Sequence, residues 1–98
     1  MLLPYTAAFN RSAAVEAMNL AAKALHSPDA PTALLELEQK IGTPLSLERI
    51  GMKESNIERA SELAVEREYP NPRPVTKPDV FVLLQAALRG DATYVTAM

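Results

Sequence analysis

The sequence of 98 residues contains no cysteine, one histidine, three isolated glycines and only 5% aromatic residues. Without cysteine there is no disulfide framework, and one histidine provides no cluster of ligands for zinc or iron. Isolated glycines form no phosphate-binding loop, and Ser12, Ser46, Ser55 and Ser61 have no nearby histidine base. We therefore predict no catalytic, metal-binding or cofactor-binding residue in the chain. His26 follows a predicted helix, where a structural role is expected.

Charge and length exclude further classes of function. Ten Lys and Arg against twelve Asp and Glu give a net charge of -2. With no basic run, a nucleic acid is not an expected partner. The longest apolar runs fall far short of the ~20 residues that cross a bilayer, and no signal-peptide pattern is present, so a cytoplasmic location is expected. The chain is too short to hold both a cofactor domain and a substrate domain.

Apolar spacing predicts an all-α fold, a helical bundle fragment of four to five helices over 1–90 with a flexible tail at 91–98. The expected helical ranges are 13–25, a second helix that ends at Gly42, one turn at 46–51, 54–66, and a last helix between Thr76 and Gly90. A stripe of Leu34, Leu37 and Ile41 is expected to share a face, and Leu47 and Ile50 to fill the core. Polar side chains, including Arg59 and Arg67, are expected on the outer face of helix 54–66.

A proline-rich loop before the last helix is the most unusual feature. Tyr69, Asn71 and Arg73 alternate with prolines, which stiffen the backbone and exclude helix. Preorganised polar groups suit a binding site, where Arg73 could hold a carboxylate and Tyr69 could donate to a carbonyl or stack. The alternative is that Asn71 and Arg73 only satisfy carbonyls at helix ends.

Several motifs, taken in order, resemble the maleylacetate reductase family, which belongs to the iron-containing alcohol dehydrogenases. The resemblance runs from Leu2 to about Gly90. The motifs are Leu2-Leu3-Pro4-Tyr5 through Phe9-Asn10, Ile41-Gly42-Thr43-Pro44-Leu45-Ser46-Leu47, Ile50-Gly51-Met52 and Asn71-Pro72-Arg73-Pro74-Val75-Thr76. The resemblance implies the last part of a C-terminal helical domain, which faces an N-terminal Rossmann-like domain across the active site.

The implied activity is that of an oxidoreductase that reduces the carbon-carbon double bond of maleylacetate with NADH or NADPH, giving 3-oxoadipate in the catabolism of aromatic compounds. The family's metal ligands and cofactor-binding glycines lie upstream of these motifs. This chain therefore resembles a fragment that is inactive in isolation. Its implied partners are the missing N-terminal part of the enzyme or a second copy of itself.

The resemblance implies substrate-binding roles for Tyr69, Asn71 and Arg73, which match the family's proline-rich motif. Tyr5 is a departure, because relatives usually have histidine directly after Leu-Leu-Pro. A phenol is neutral near pH 7 and cannot replace an imidazole base, so Tyr5 either contacts substrate or only packs. The alternative function is a stand-alone, non-catalytic helical module for dimerisation or as an adaptor.

Overall fold

A computed structural model describes residues 1–67 and 69–96, and this part of the chain is helical and contains no β-strand. The predicted all-α class is confirmed. The helices are α1 (Leu3–Asn10), α2 (Val15–Ala24), α3 (Ala30–Ile41), α4 (Ile57–Ala64), α5 (Lys77–Arg89) and α6 (Ala92–Thr96), with single 3-10 turns at Glu48–Ile50 and Glu54–Asn56. None of the described helices is long and apolar enough to cross a membrane.

Local capping residues set the ends of α3 and α5, and the predicted helix ends at Gly42, Thr76 and Gly90 are confirmed. The Asp29 side chain accepts a hydrogen bond from the first turn of α3, which ends at Gly42 with a φ of 78°. Thr76 and Asp79 form a reciprocal capping box at the start of α5, and Gly90 ends it with a φ of 68°. Each of these signals uses only residues near in sequence, so it can be recognised before the fold is known.

Helix α2 differs from its prediction at both ends. It begins at Val15, after Ala14, and no side chain caps its first turn. Beyond its last turn, His26 adopts a left-handed φ of 54°, the conformation that glycine most often supplies there. His26 therefore lies at a helix end, and the structural role expected of its side chain there stays a prediction.

The core lies where α1, α3, α5 and α6 meet the connector before α4. Helix α1 packs against α3, α5 and α6, and its Tyr5 and Phe9 are both buried. Because α1 is buried on several sides, it has no one-sided apolar stripe, and apolar spacing did not predict it. The buried residues that form the central cluster are Tyr5, Leu35, Leu47, Ile57, Ala87, Leu88 and Val95.

One predicted core residue is wrong, and the apolar face predicted on α3 is largely exposed. On α3, Leu37 and Ile41 are 45% and 65% exposed, and Leu35 provides the buried contact on another side of the helix. In the connector, Leu47 is buried as expected, whereas Ile50 is 59% exposed. Apolar spacing identifies a helix face that is expected to pack against another segment, but it does not show whether that segment belongs to this chain.

The expectation of a flexible tail at 91–98 also needs correction. Residues 92–96 form α6, and Val95 is fully buried against the core. The Tyr94 ring stacks on Tyr5, with the ring centroids 5.9 Å apart. A helix of five residues is too short to show a period, so packing rather than pattern determines it. Residues 97 and 98 lie outside the described part of the chain.

Candidate functional site

The proline-rich loop is attached to the end of α1 by a pair of amide side chains. Asn10 Nδ2 donates to Asn71 Oδ1 at 3.0 Å, and Asn71 Nδ2 donates to Asn10 Oδ1 at 2.8 Å. Asn71 Nδ2 also donates to the carbonyl of Arg73 at 2.6 Å, which holds the loop in a turn. The two bonds between Asn10 and Asn71 join residues 61 positions apart, so the first and last motifs of the family resemblance meet in the structure.

Arg73 reinforces the same joint. Its Nη1 donates to the carbonyl of Phe9 at 3.1 Å, and its guanidinium carbon lies 4.1 Å from the centroid of the Phe9 ring. Its Nη2 is 3.6 Å from Asp79 Oδ1. Hydrogen bonds from Thr76, together with the positive charge of Arg73, hold the pKa of Asp79 below its usual value. Arg73 therefore satisfies a carbonyl at a helix end, as the alternative interpretation of this loop stated.

An open cavity of about 600 Å³ lies between the end of α4 and this loop. The phenol of Tyr69 stands on its rim and is 69% exposed. The structure thus brings Tyr69, Asn71 and Arg73 to one cavity. The residues that line the cavity are Ala64, Val65, Arg67, Tyr69, Pro70, Asn71, Arg73, Pro74 and Val75.

Tyr5 lies apart from this cavity, in the core. Its side chain is 1% exposed and stacks on Tyr94, and its hydroxyl has no hydrogen-bond partner in the described part of the chain. Burial, followed by the negative charges of Asp91 and Glu38, raises the pKa of Tyr5 above the usual tyrosine value. In this position Tyr5 packs and stays neutral.

The positions of two arginines, Arg67 and Arg11, were not predicted from the sequence. Arg67 lines the cavity, but its position at the end of an amphipathic pattern predicted only an outer face. Arg11 joins α1 to Asp29 at the start of α3, and it also donates to the carbonyl of Val95 in α6. Neither contact has a local sequence signal, because each depends on how distant segments come together.

The iron-containing family implied by the resemblance raises the question of a metal. Among residues 1–67 and 69–96, no three His, Cys, Asp or Glu side chains are placed to hold a metal ion. The residues described therefore do not fit a resident iron or zinc. We assign no metal ligand to this chain.

Comparison with known proteins identifies the family. Residues 1–88 match the C-terminal part of the Fe-containing alcohol dehydrogenase family. The chain belongs to this family. Maleylacetate reductase from Burkholderia cepacia is 40% identical over 90 residues, which are 92% of this chain and 26% of that protein. Maleylacetate reductase from Sphingobium indicum is 40% identical over 89 residues, which are 91% of this chain and 25% of that protein.

Solved structures of this dehydrogenase family share the fold. An iron-containing alcohol dehydrogenase from Corynebacterium glutamicum superposes with a TM-score of 0.86 at 36% identity, over 98% of this chain and 27% of that one. A structure from Ralstonia eutropha JMP134 also gives a TM-score of 0.86, at 35% identity over 93% of this chain. The chain therefore spans about a quarter of the length of the relatives that it matches. Its matched residues correspond to the C-terminal part of that family.

Proposed function

We propose that this chain forms the C-terminal helical part of an NAD(P)H-dependent reductase that acts on maleylacetate or a close analogue, and that it is inactive alone. The observation that carries this proposal is the match of 92% of the chain to a maleylacetate reductase at 40% identity. The cytoplasmic location and the link to aromatic catabolism expected from the sequence are part of the same proposal.

The proposed contribution of this chain is a substrate-facing loop of fixed shape. The amide pair of Asn10 and Asn71 holds the loop, and Arg73 ties it to the Phe9 carbonyl. We assign Asn71 and Arg73 chiefly to positioning, and Tyr69 to direct contact with substrate from the rim. When bound, the nicotinamide supplies the hydride, and the residues that hold it belong to the rest of the enzyme. Tyr5 supports the loop only through the packing of α1.

The proposed partner is the remaining part of the enzyme. Several apolar side chains are exposed on the described helices, including Leu20 at 70% and Ile41 at 65%. Apolar surface of this kind is normally covered by another segment or subunit. The same surface favours the alternative function, a stand-alone module that self-associates. Analytical ultracentrifugation distinguishes the two functions. A stand-alone module should form a defined dimer, whereas part of a larger enzyme should associate nonspecifically.

A chimeric enzyme tests the proposed activity. The C-terminal quarter of the Burkholderia cepacia maleylacetate reductase is replaced by this chain, and NADH oxidation is followed with maleylacetate as substrate. Activity within about tenfold of the parent enzyme, or 1.4 kcal/mol in the barrier, supports the proposal. A folded chimera that binds NADH but does not reduce maleylacetate contradicts it. The isolated chain is the control, and NADH binding by that chain contradicts the proposed inactivity.

A further inference from the structure

Two arginine side chains line the cavity beside the proline-rich loop. Among the lining residues that the structure describes, Arg67 and Arg73 carry guanidinium groups and none carries a carboxylate. The described lining is therefore positive, although the chain as a whole carries a net charge of -2. Two cations facing one concave surface favour an anionic ligand over a neutral one.

The two arginines differ in how their charges are used. Arg73 donates to the Phe9 carbonyl, covers the Phe9 ring and lies 3.6 Å from Asp79, which compensates part of its charge. Arg67 is exposed, and no hydrogen bond or ion pair joins it to residues 1–67 or 69–96. Arg67 is therefore the cation at this cavity that is more available to pair with an anionic ligand.

The other lining groups suit an organic anion more than an inorganic one. Val65, Val75 and the neighbouring prolines provide an apolar wall, and Tyr69 offers a hydroxyl at the rim. A small carbon skeleton can lie against such a wall while its charged ends reach the arginines. A guanidinium binds a carboxylate through two parallel N–H···O bonds, which makes arginine well suited to that end group.

We propose that Arg67 is a carboxylate-binding residue, and that Arg67 and Arg73 together select a small dicarboxylate at this cavity. The proposal rests on the proposed function, because it names the residue that would distinguish a substrate with two carboxylates from one with a single carboxylate. Arg73 holds the loop and offers its remaining N–H groups to one end of the ligand. Arg67 binds the other end.

Binding to the isolated chain tests the site without any need for catalysis. The probes are maleate and crotonate, four-carbon acids with one double bond that carry two carboxylates and one, and isocrotonate is added as the monocarboxylate with the same cis double bond as maleate. Binding is followed by NMR through the Nε–Hε signals of the arginines. We expect maleate to bind at least about tenfold more tightly than either monocarboxylate, or 1.4 kcal/mol, and to shift the Arg67 signal.

Matched substitutions assign the effect to Arg67. Arg67→Gln should reduce maleate affinity to about that of crotonate and leave the stability of the fold unchanged. Arg59→Gln is the control, because Arg59 is an exposed arginine on α4 whose partner is Glu62 and which does not line the cavity. Equal affinity for maleate and a monocarboxylate, equal loss in both variants, or equally tight binding of inorganic phosphate would each overturn the proposal.

The chimeric enzyme separates this inference from the proposed function. In an active chimera, Arg67→Gln should raise KM for maleylacetate about tenfold with little change in kcat, because binding to a remote carboxylate is lost. An active chimera whose KM does not respond leaves the proposed function standing and refutes the role of Arg67. An inactive chimera, combined with maleate binding through Arg67 in the isolated chain, refutes the proposed function and leaves the dicarboxylate site standing.

Discussion

Arg11 and Asp29 form a doubly hydrogen-bonded ion pair that joins the end of α1 to the start of α3, with Nε–Oδ1 and Nη2–Oδ2 distances of 2.9 Å. Arg11 also donates to the Val95 carbonyl of α6, and Asp29 caps α3. Three helices therefore depend on two side chains, both of which are largely buried. Removing the carboxylate takes two charged hydrogen bonds away from the arginine, which costs more than the loss of an exposed pair.

Asp29→Asn should destabilise the chain by about 1 to 3 kcal/mol at pH 7, because it removes the charge opposite Arg11 and keeps a capping oxygen. The free energy of unfolding in urea, followed by circular dichroism, measures the loss. Glu54→Gln is the control, since its pair with Arg89 is exposed and should contribute less than about 0.5 kcal/mol. Equal effects of the two substitutions would contradict the structural role of the pair.

The effect of Asp29→Asn should also depend on pH. Burial acts to raise the pKa of Asp29, but hydrogen bonds from Arg11 and Thr32 outweigh it and the pKa is lowered. A carboxyl group with a lowered folded-state pKa stabilises the fold above its unfolded value of about 3.9, and this contribution is lost as the pH falls through the folded-state value. The difference between wild type and variant should therefore shrink below about pH 4.

His26→Gly should stabilise the chain by about 1 kcal/mol, because a side chain in the left-handed region is strained and glycine is not. Thermal and urea unfolding measure the change. Gly42→Ala is the reciprocal control: Gly42 has a φ of 78° with no atom within 4 Å of an added Cβ, so only backbone strain should act. Gly42→Ala should destabilise the chain by about 1 to 2 kcal/mol. A loss of stability in His26→Gly would show that the imidazole itself makes a needed contact.

The Asn10–Asn71 pair should be energetically coupled. Asn71→Ala leaves the part-buried Asn10 amide without its partner, and should cost about 1 to 3 kcal/mol. A double-mutant cycle with Asn10→Ala should give a coupling of about 0.5 to 3 kcal/mol. Limited proteolysis within the proline-rich loop is the second measurement, and cleavage should be faster in Asn71→Ala. Additive losses and unchanged cleavage would mean that the pair does not hold the loop.

Helix ends could be predicted from the sequence because capping is local. Asp29, Gly42 and the box of Thr76 with Asp79 each act on residues within a few positions. Packing faces could not be predicted in the same way. The stripe that contains Leu37 and Ile41 has the correct period, yet it is exposed, and the chain spans about a quarter of its relatives' length. Apolar periodicity indicates that a helix face packs against another segment, but it does not show which segment or subunit provides that contact.

At the candidate site, too, local features could be predicted from the sequence and long-range contacts could not. The prolines made the loop recognisable, and Tyr69, Asn71 and Arg73 do reach one cavity. The partners of that loop could not be predicted, because Arg73 donates to Phe9 across 64 positions and Asn71 pairs with Asn10 across 61. Arg67 was overlooked for the opposite reason, since an amphipathic pattern explained it as ordinary outer surface.

Tyr5→Phe should leave stability at pH 7 unchanged or slightly higher, because the buried Tyr5 hydroxyl has no partner among the described residues and its removal ends a desolvation cost. Tyr69→Phe, at an exposed tyrosine, controls for loss of a hydroxyl at neutral pH. A loss above about 1 kcal/mol in Tyr5→Phe would mean that the hydroxyl is hydrogen-bonded in solution, which would reopen a role for Tyr5 beyond packing.

Alkaline unfolding extends the same comparison. Because burial raises the pKa of Tyr5, the folded state keeps the phenol proton at pH values where the unfolded chain, with a pKa of about 10, has lost it. This contribution to stability is complete below about pH 10 and is lost as the pH rises toward the folded-state pKa. Tyr5→Phe should therefore lose less stability than wild type above that pH. Burial also raises the pKa of Tyr94, so the variant should retain part of the slope, and the double variant with Tyr94→Phe should retain less. Identical slopes in all three chains would contradict the burial of both phenols.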